Sequence, residues 1–165
     1  MKIIGIDPGS RITGYGIIER DGNRNQYISS GSILLKEPLS LAERLVILDE
    51  KLDQILQEFS PDCGSIEAIF FSKNAKSALI LGHARGVALL KMAIHHLPIY
   101  EYTPLEVKQS LVGAGRASKE QVQHMVRVLL NLKQHLMNED ESDALAIAIT
   151  HAHFIPHLER HDRLS

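Results

Sequence analysis

The chain has 165 residues, of which 44% are apolar, and a formal net charge of -2 at pH 7. This size and apolar content favour one compact domain, and the charge lacks the strong positive excess that is typical of nucleic-acid-binding proteins. The single cysteine, Cys63, excludes an internal disulfide framework and a cysteine-based metal site. Because we find neither about 20 consecutive apolar residues nor a signal-peptide pattern, we expect a cytoplasmic protein without membrane contact.

The first 34 residues predict three antiparallel strands. Residues 3–7 form a short apolar run, and residues 13–19 alternate apolar side chains with small and polar ones. A turn through Pro8 and Gly9 joins these segments, and a second turn at 21–23 leads to a strand over 27–34. Because both turns are short, we expect each strand to pair with the next.

The middle of the chain predicts alternating helices and strands. These are a helix over 41–59, a strand over 63–69, a long helix over 75–95 and a strand over 99–102. The first helix begins at a capping box formed by Ser40 and Glu43. A strand, helix and strand in succession indicate a right-handed crossover between two parallel strands.

Three helices follow the last strand. Thr103 and Ser118 each begin a capping box, and the final helix is predicted over 140–153. We expect residues 1–155 to form the domain and the polar residues 156–165 to form a flexible tail. The order predicts an α/β fold with a mixed five-stranded sheet, three antiparallel strands followed by two parallel ones, flanked by helices.

Four carboxylates occupy positions that are unusual for solvent-exposed charges. Asp7 ends one apolar strand and Glu67 lies in another, where an unpaired carboxylate would be costly. Asp140 and Asp143 are three residues apart on one helix face, directly before an apolar run. If this helix packs across the two strand ends, the four side chains converge.

Such a cluster needs cations, because the mutual repulsion of the carboxylates would otherwise be prohibitive. Oxygen ligands without paired histidine or cysteine favour Mg²⁺, with Mn²⁺ as a substitute, and we expect two ions per subunit. Two such ions support phosphodiester hydrolysis. Asp140 alone would also suit a helix N-cap, and Glu139 and Glu141 suit solvated acids in the first helical turn, so which acid completes the site stays open.

Several short motifs follow one another along about 150 residues of the chain. They are Gly5-Ile6-Asp7-Pro8-Gly9-Ser10, Thr13-Gly14-Tyr15-Gly16, Ile66-Glu67, Lys73-Asn74-Ala75, Ser77-Ala78-Leu79, Gly82, Ala84-Arg85-Gly86-Val87, Val107-Lys108-Gln109, Gln121-Val122-Gln123-His124-Met125-Val126-Arg127 and Asp143-Ala144-Leu145-Ala146-Ile147-Ala148. Together and in this order, they resemble the RuvC Holliday-junction resolvase family. The stretch around Asp140 is more acidic than the usual family pattern.

The resemblance implies a ribonuclease H-like fold, a bacterial homodimer and paired symmetric nicks at four-way DNA junctions in recombination and repair. It implies Mg²⁺ as the working ion, and RuvA and RuvB as branch-migration partners. It assigns the catalytic and metal-binding roles to four acids: Asp7, Glu67, Asp140 and Asp143. It also implies functional lysines at Lys108 and Lys119 and a base-stacking aromatic at Phe70, although Phe70 or its neighbour Phe71 could equally belong to the core.

Other features suit DNA without requiring it. Lys73, Lys76 and Arg116 could add phosphate contacts to the basic surface, although lone cations are usually solvated. Ala78, Gly82 and Gly86 recur every four residues on the long helix, which favours either a dimer contact or close packing on the sheet, and for Gly86 we slightly favour the sheet. The histidines show no metal-ligand spacing, and we interpret them as structural or solvated.

Three alternatives remain open. The segment from Asp7 to Ser10, followed by Gly14 and Gly16, also resembles the phosphate hairpin of the actin-like ATPase and sugar-kinase superfamily, but that fold needs a second such domain. The chain could also be a silent module that binds structured nucleic acid, although all four acids are present. A ribonuclease H-like enzyme that acts on structured RNA is the third.

Overall fold

The protein is an α/β domain, described here from a computed structural model for residues 1–36, 38–68, 75–132 and 138–162. Five strands and five helices make up this part of the chain. In chain order they are β1 (Lys2–Asp7), β2 (Ile12–Asp21), β3 (Arg24–Leu34), α1 (Leu41–Phe59), β4 (Cys63–Glu67), α2 (Ala75–Ile94), β5 (Ile99–Tyr102), α3 (Pro104–Val112), α4 (Lys119–Leu129) and α5 (Glu139–Asp162).

The strands form a single sheet in the order β3-β2-β1-β4-β5. β1 pairs antiparallel with β2, which pairs antiparallel with β3, whereas β4 lies parallel to both β1 and β5. The predicted mixed sheet is therefore confirmed. Because β1 and β4 are parallel neighbours, their carboxyl ends lie side by side at one edge of the sheet.

Helices cover both faces of the sheet because successive side chains of each strand point to opposite sides. Ile3 of β1 packs in a core with Leu145 and Ile149 of α5, whereas Ile4 packs in a second core with Leu52 of α1. On the α5 side, buried His151 accepts a hydrogen bond from, or donates one to, Tyr102 Oη at 2.8 Å. This histidine is thus structural, as predicted.

The helix starts match the sequence prediction better than the end of the last helix does. Capping boxes are present at Ser40, Thr103 and Ser118, where each hydroxyl accepts a hydrogen bond from the third helical amide. α5, by contrast, continues past the predicted end at His153 to Asp162. The flexibility of residues 156–165 stays a prediction.

α2 buries one face and exposes another that is apolar. Ala84, Ala88 and Met92 pack in the core beside α1, whereas Leu79, Leu90 and Ile94 are 66%, 58% and 55% exposed. By length and composition, Ser77–Ile94 could cross a membrane, which is weak evidence because core helices of soluble proteins pass the same test. This segment includes charged residues, so it is not an uninterrupted apolar run.

Gly82 and Gly86 lie on the exposed side of α2. A Cβ added at either position would meet nothing within 4 Å. The preference for sheet packing at Gly86 is therefore wrong, because the helix turns this position away from the sheet.

Gly5 and Gly64, on the adjacent strands β1 and β4, lie against helices on opposite faces of the sheet, so substitutions there measure how tightly each helix packs. A Cβ at Gly5 would overlap the backbone oxygen of Ala144 and lie 2.7 Å from the amide nitrogen of Ala148, whereas one at Gly64 would meet mainly the flexible end of Met92. We expect Gly5→Ala to lower the free energy of unfolding by about 3 kcal/mol, and Gly64→Ala by about 1 kcal/mol, in urea titrations. Equal losses would contradict this account of α5 packing.

Candidate active site

The first two predicted acids stand at the same end of adjacent strands. Ile6 pairs with Ile66 in the parallel register, so the next residues, Asp7 and Glu67, end β1 and β4 side by side. Their two carboxyl groups lie within hydrogen-bonding reach of each other. The strands place both side chains at the sheet edge because each strand ends at its acid.

α5 brings the other two acids to this edge through close backbone contact. Gly14 of β2 pairs with Asp7, and a Cβ at Gly14 would overlap the backbone oxygen of Asp140. The start of α5 therefore lies directly against the strand beside Asp7. Asp143 follows one turn later, and the negative charges of Asp140 and Asp143 both act on Asp7.

Burial and repulsion disfavour the ionised form of these carboxyl groups. Desolvation, followed by the charges of Glu67 and Asp143, raises the pKa of Asp7 to about 8. Desolvation also raises the pKa values of Glu67 and Asp143. Burial and the neighbouring carboxylates therefore favour the protonated form of the Asp7 carboxyl group over the ionised form.

The start of α5 is fixed to β3 by polar side chains that the sequence analysis missed. Asn138 Oδ1 accepts a hydrogen bond from the Glu141 amide at 2.9 Å, so Asn138 caps the helix and the N-cap alternative for Asp140 is wrong. Asn138 also bonds with Ser32 at 2.8 Å, and Ser30 donates to Glu141 Oε2 at 2.9 Å. The three-residue spacing from Asn138 to Glu141 is a capping signal that could have revealed this.

Lys119 lies beside the acidic cluster at the start of α4. Its Nζ is 3.5 Å from Glu139 Oε1 and 3.8 Å from Asp143 Oδ2. Desolvation lowers its pKa, but attraction to Asp143 and Glu139 outweighs this and the pKa is raised. Glu139 thus contacts the basic side chain, whereas Glu141 contacts β3.

A cavity of about 200 Å³ opens beside these groups. Two of the predicted lysines and two of the predicted acids line it together with apolar residues of α3, α4 and α5. The lining residues are Glu67, Pro104, Val107, Lys108, Lys119, Val122, Asp143, Ala146 and Ile147. The cavity therefore combines carboxylates with cations that could bind an anionic substrate.

The remaining predicted DNA contacts are not brought to this cavity by the described structure. Arg116 is exposed in the loop between α3 and α4 and is not among the lining residues. Phe70 and Lys73 lie outside the described residues, and for Lys76 only its place in α2 is described. Their predicted roles stay predictions.

The donor set fits a hard divalent cation by its chemistry. Asp7, Glu67 and Asp143 offer oxygen atoms only, and desolvation raises the pKa values of all three although Lys119 attracts Glu67 and Asp143. Within the described ranges, no three His, Cys, Asp or Glu side chains already form a group that could hold a metal ion. Without a cation, burial and repulsion favour the protonated form of Asp7 instead.

The pKa of Asp7 predicts how stability depends on pH in metal-free protein. The folded state keeps a proton that the unfolded chain loses above its ordinary pKa of 3.8, so the free energy of unfolding falls as pH rises from about 4 to about 8. Asp7→Asn removes this loss. We expect the variant in EDTA to be more stable than the wild type at pH 8, by on the order of 2 kcal/mol, and the advantage to shrink towards pH 4.

The measurement is urea unfolding across this pH range. Asp21→Asn, which changes an exposed carboxylate at the far end of β2, is the control and should show no such growing advantage. An advantage of Asp7→Asn that is independent of pH would contradict the raised pKa.

Comparisons with known sequences agree with this site and fold. The profile of the family described as crossover junction endodeoxyribonuclease RuvC matches residues 3–151. The RuvC protein of Syntrophotalea carbinolica is 54% identical over 153 residues, covering 93% of this chain and 94% of the relative. That of Alkaliphilus oremlandii is 51% identical over 153 residues and covers 93% of each chain.

Solved structures give the same result. Thermus thermophilus RuvC is 32% identical with a TM-score of 0.87, covering 95% of this chain and 96% of the other. The same enzyme in complex with a Holliday junction substrate superposes with a TM-score of 0.88, over 94% of each chain. The fold is therefore ribonuclease H-like, as the sequence predicted, and the chain belongs to the RuvC family of crossover junction endodeoxyribonucleases.

Proposed function

We propose that this chain is a structure-specific endonuclease that resolves four-way DNA junctions by paired symmetric nicks during recombination and repair. The observation that carries the proposal is the cluster of Asp7, Glu67 and Asp143 beside Lys119, at the edge of a RuvC fold. A solved relative with the same fold binds a Holliday junction. We infer that the nicks arise from metal-assisted hydrolysis of phosphodiester bonds.

Asp7, Glu67, Asp140 and Asp143 would hold Mg²⁺, or Mn²⁺ as a substitute, and the number of oxygen ligands favours two ions per subunit. Bound metal would supply an activated water and stabilise charge on the phosphate oxygens. Asp7 would release its proton as the site fills, because a nearby cation favours the ionised carboxylate. Metal binding would thus convert the carboxyl groups of the site from a partly protonated set to a fully ionised one.

The basic side chains would position the phosphate. Lys119 lies beside Asp143, and Lys108 lines the same cavity, so both ammonium groups can neutralise negative charge near the reacting phosphodiester. Arg116, Lys73 and Lys76 would contact the backbone of the junction arms, and Phe70 would stack on a base near the crossover. Binding of this kind weakens as salt concentration rises.

The exposed face of α2 would form a homodimer interface. Leu79, Gly82, Gly86, Leu90 and Ile94 share this face, and the glycines would allow close approach of a second helix. The opposite face buries Lys91, whose Nζ is 2.9 Å from Asp49 Oδ1, in a position that a lone membrane-spanning helix could not keep. A second copy is thus a better partner than lipid, and its two-fold symmetry suits a two-fold junction.

We further propose that the dimer acts in the bacterial cytoplasm with RuvA and RuvB as branch-migration partners. Both proposals follow from membership of the family. Structured RNA is the competing substrate to test, because a ribonuclease H-like enzyme that acts on RNA is the alternative.

The proposal predicts cutting that depends on structure and metal. A synthetic four-way DNA junction should be nicked symmetrically near its crossover with Mg²⁺, whereas a linear duplex and a structured RNA should stay intact. Asp7→Asn should lower the single-turnover rate at least 100-fold and keep junction affinity within about threefold, because the change removes a metal-binding charge but keeps the shape.

Glu141→Gln is the matched control, because it removes the charge of this acid while the glutamine oxygen can still accept the hydrogen bond from Ser30 on β3. Its cleavage rate should stay within about threefold of the wild type. Comparable inactivity of Glu141→Gln and Asp140→Asn would contradict our choice of Asp140. Binding without nicks under several divalent ions would instead favour a silent module.

The proposed dimer predicts a position-dependent effect of surface charge. Leu90→Lys places an ammonium on the exposed face of α2 and should weaken dimerisation at least tenfold in sedimentation equilibrium, because the charge would have to be desolvated. Val128→Lys, at a side chain 55% exposed on α4, is the control and should leave dimerisation unchanged. Equal behaviour of the two variants would place the interface elsewhere.

A further inference from the structure

Arg85 connects α2 to the ends of β4 and β5 at the active-site edge of the sheet. Its Nε donates a hydrogen bond to the backbone carbonyl of Glu67 at 3.2 Å, and its Nη2 forms an ion pair with Glu101 of β5. The Arg85 side chain is only 15% exposed. The Arg85 guanidinium thus contacts the backbone of Glu67, a predicted metal ligand, and the Glu101 side chain on the neighbouring strand β5.

The Glu67 carbonyl lies where the regular pairing of β4 ends. β4 ends at Glu67, and within residues 38–68 and 75–132 the Ala68 amide extends the pairing with β5 by a hydrogen bond to the Tyr102 carbonyl at 2.8 Å. Strand ends fray where ladder bonds stop. Arg85 donates its hydrogen bond to the Glu67 carbonyl at the position where the regular pairing of β4 ends.

We propose that Arg85 is a positioning residue for the nuclease reaction: it holds the end of β4 so that the Glu67 carboxylate stays beside Asp7. The proposal rests on the proposed function for its effect on cleavage, but its structural part does not. Glu101 orients the guanidinium by accepting from one nitrogen while Nε reaches the Glu67 carbonyl. A lysine could not reproduce both contacts in the same geometry, because its compact ammonium lacks the separated nitrogens of the planar guanidinium.

Amide hydrogen exchange tests the structural part without any cleavage. In Arg85→Met, exchange of the Ala68 amide should rise about tenfold, because the end of β4 loses a stabilising bond. The Gly64 amide, which donates to Pro98 O at 2.9 Å near the start of β4, is the internal control and should exchange as in the wild type. Unchanged exchange at Ala68 would overturn the proposal.

Single-turnover cleavage at saturating protein tests the catalytic part. Arg85→Met should cut a four-way junction about tenfold more slowly with unchanged junction affinity, and Arg85→Lys should recover part of the rate. The double variant Arg85→Met with Glu101→Gln separates the two contacts. If Arg85 acts through the Glu67 carbonyl, the double variant stays as slow as Arg85→Met.

Full recovery in the double variant would overturn the proposal, because it would show that Arg85 merely neutralises Glu101. Equal acceleration of exchange at Ala68 and Gly64 would also overturn it, because the variant would then have lost global stability. If the wild type cuts no junction, the proposed function fails, whereas the exchange at Ala68 still decides whether Arg85 holds the strand end.

Discussion

The site depends on direct contact between α5 and the glycine-bearing surface of β1 and β2. Side chains at Gly5 and Gly14 would overlap the backbone oxygens of Ala144 and Asp140, so the helix lies at backbone distance from the sheet. A larger residue at either strand position would lift the helix. Asp140 and Asp143 would then move away from Asp7, and the cluster would lose its negative charge density.

The packing of α5 on β1 and β2 concentrates negative charge at the site, and Lys119 alone does not balance it. Burial and repulsion raise the pKa values of Asp7, Glu67 and Asp143 together, which is a destabilising arrangement for a metal-free protein near neutral pH. Active sites commonly combine such strain with function. The tethers from β3 to Asn138 and Glu141 help to hold the start of α5 in place against this repulsion.

Periodicity and capping signals predicted most of the fold. The mixed five-stranded sheet, the bounds of β5 and the three capping boxes are confirmed. The strand bounds and the caps follow from local patterns in the sequence, whereas the strand order was not predicted. The end of α5 was predicted too early because the polar residues from Pro156 onward are typical of a flexible tail, whereas α5 continues to Asp162. The site acids were predicted from unusual burial, but their roles stay predictions.

Other features of the site could not be predicted because they depend on distant residues. Nothing in the sequence near Arg85 indicates that its side chain reaches Glu67, 18 positions earlier, and Glu101, 16 positions later. The contact of Ser32 with Asn138 likewise spans 106 positions. Such pairs become neighbours only after the crossover and the packing of α5 are complete.

The weakly acidic net charge is compatible with DNA binding once the location of the charges is considered. Part of the negative charge lies in the cluster of Asp7, Glu67 and Asp143, where burial favours protonation of Asp7 and where bound cations would neutralise the carboxylates. Lys108 and Lys119 remain on the cavity wall beside it. The surface that meets phosphate would therefore become more positive when the site is filled, so the total charge of -2 underestimates its attraction for DNA.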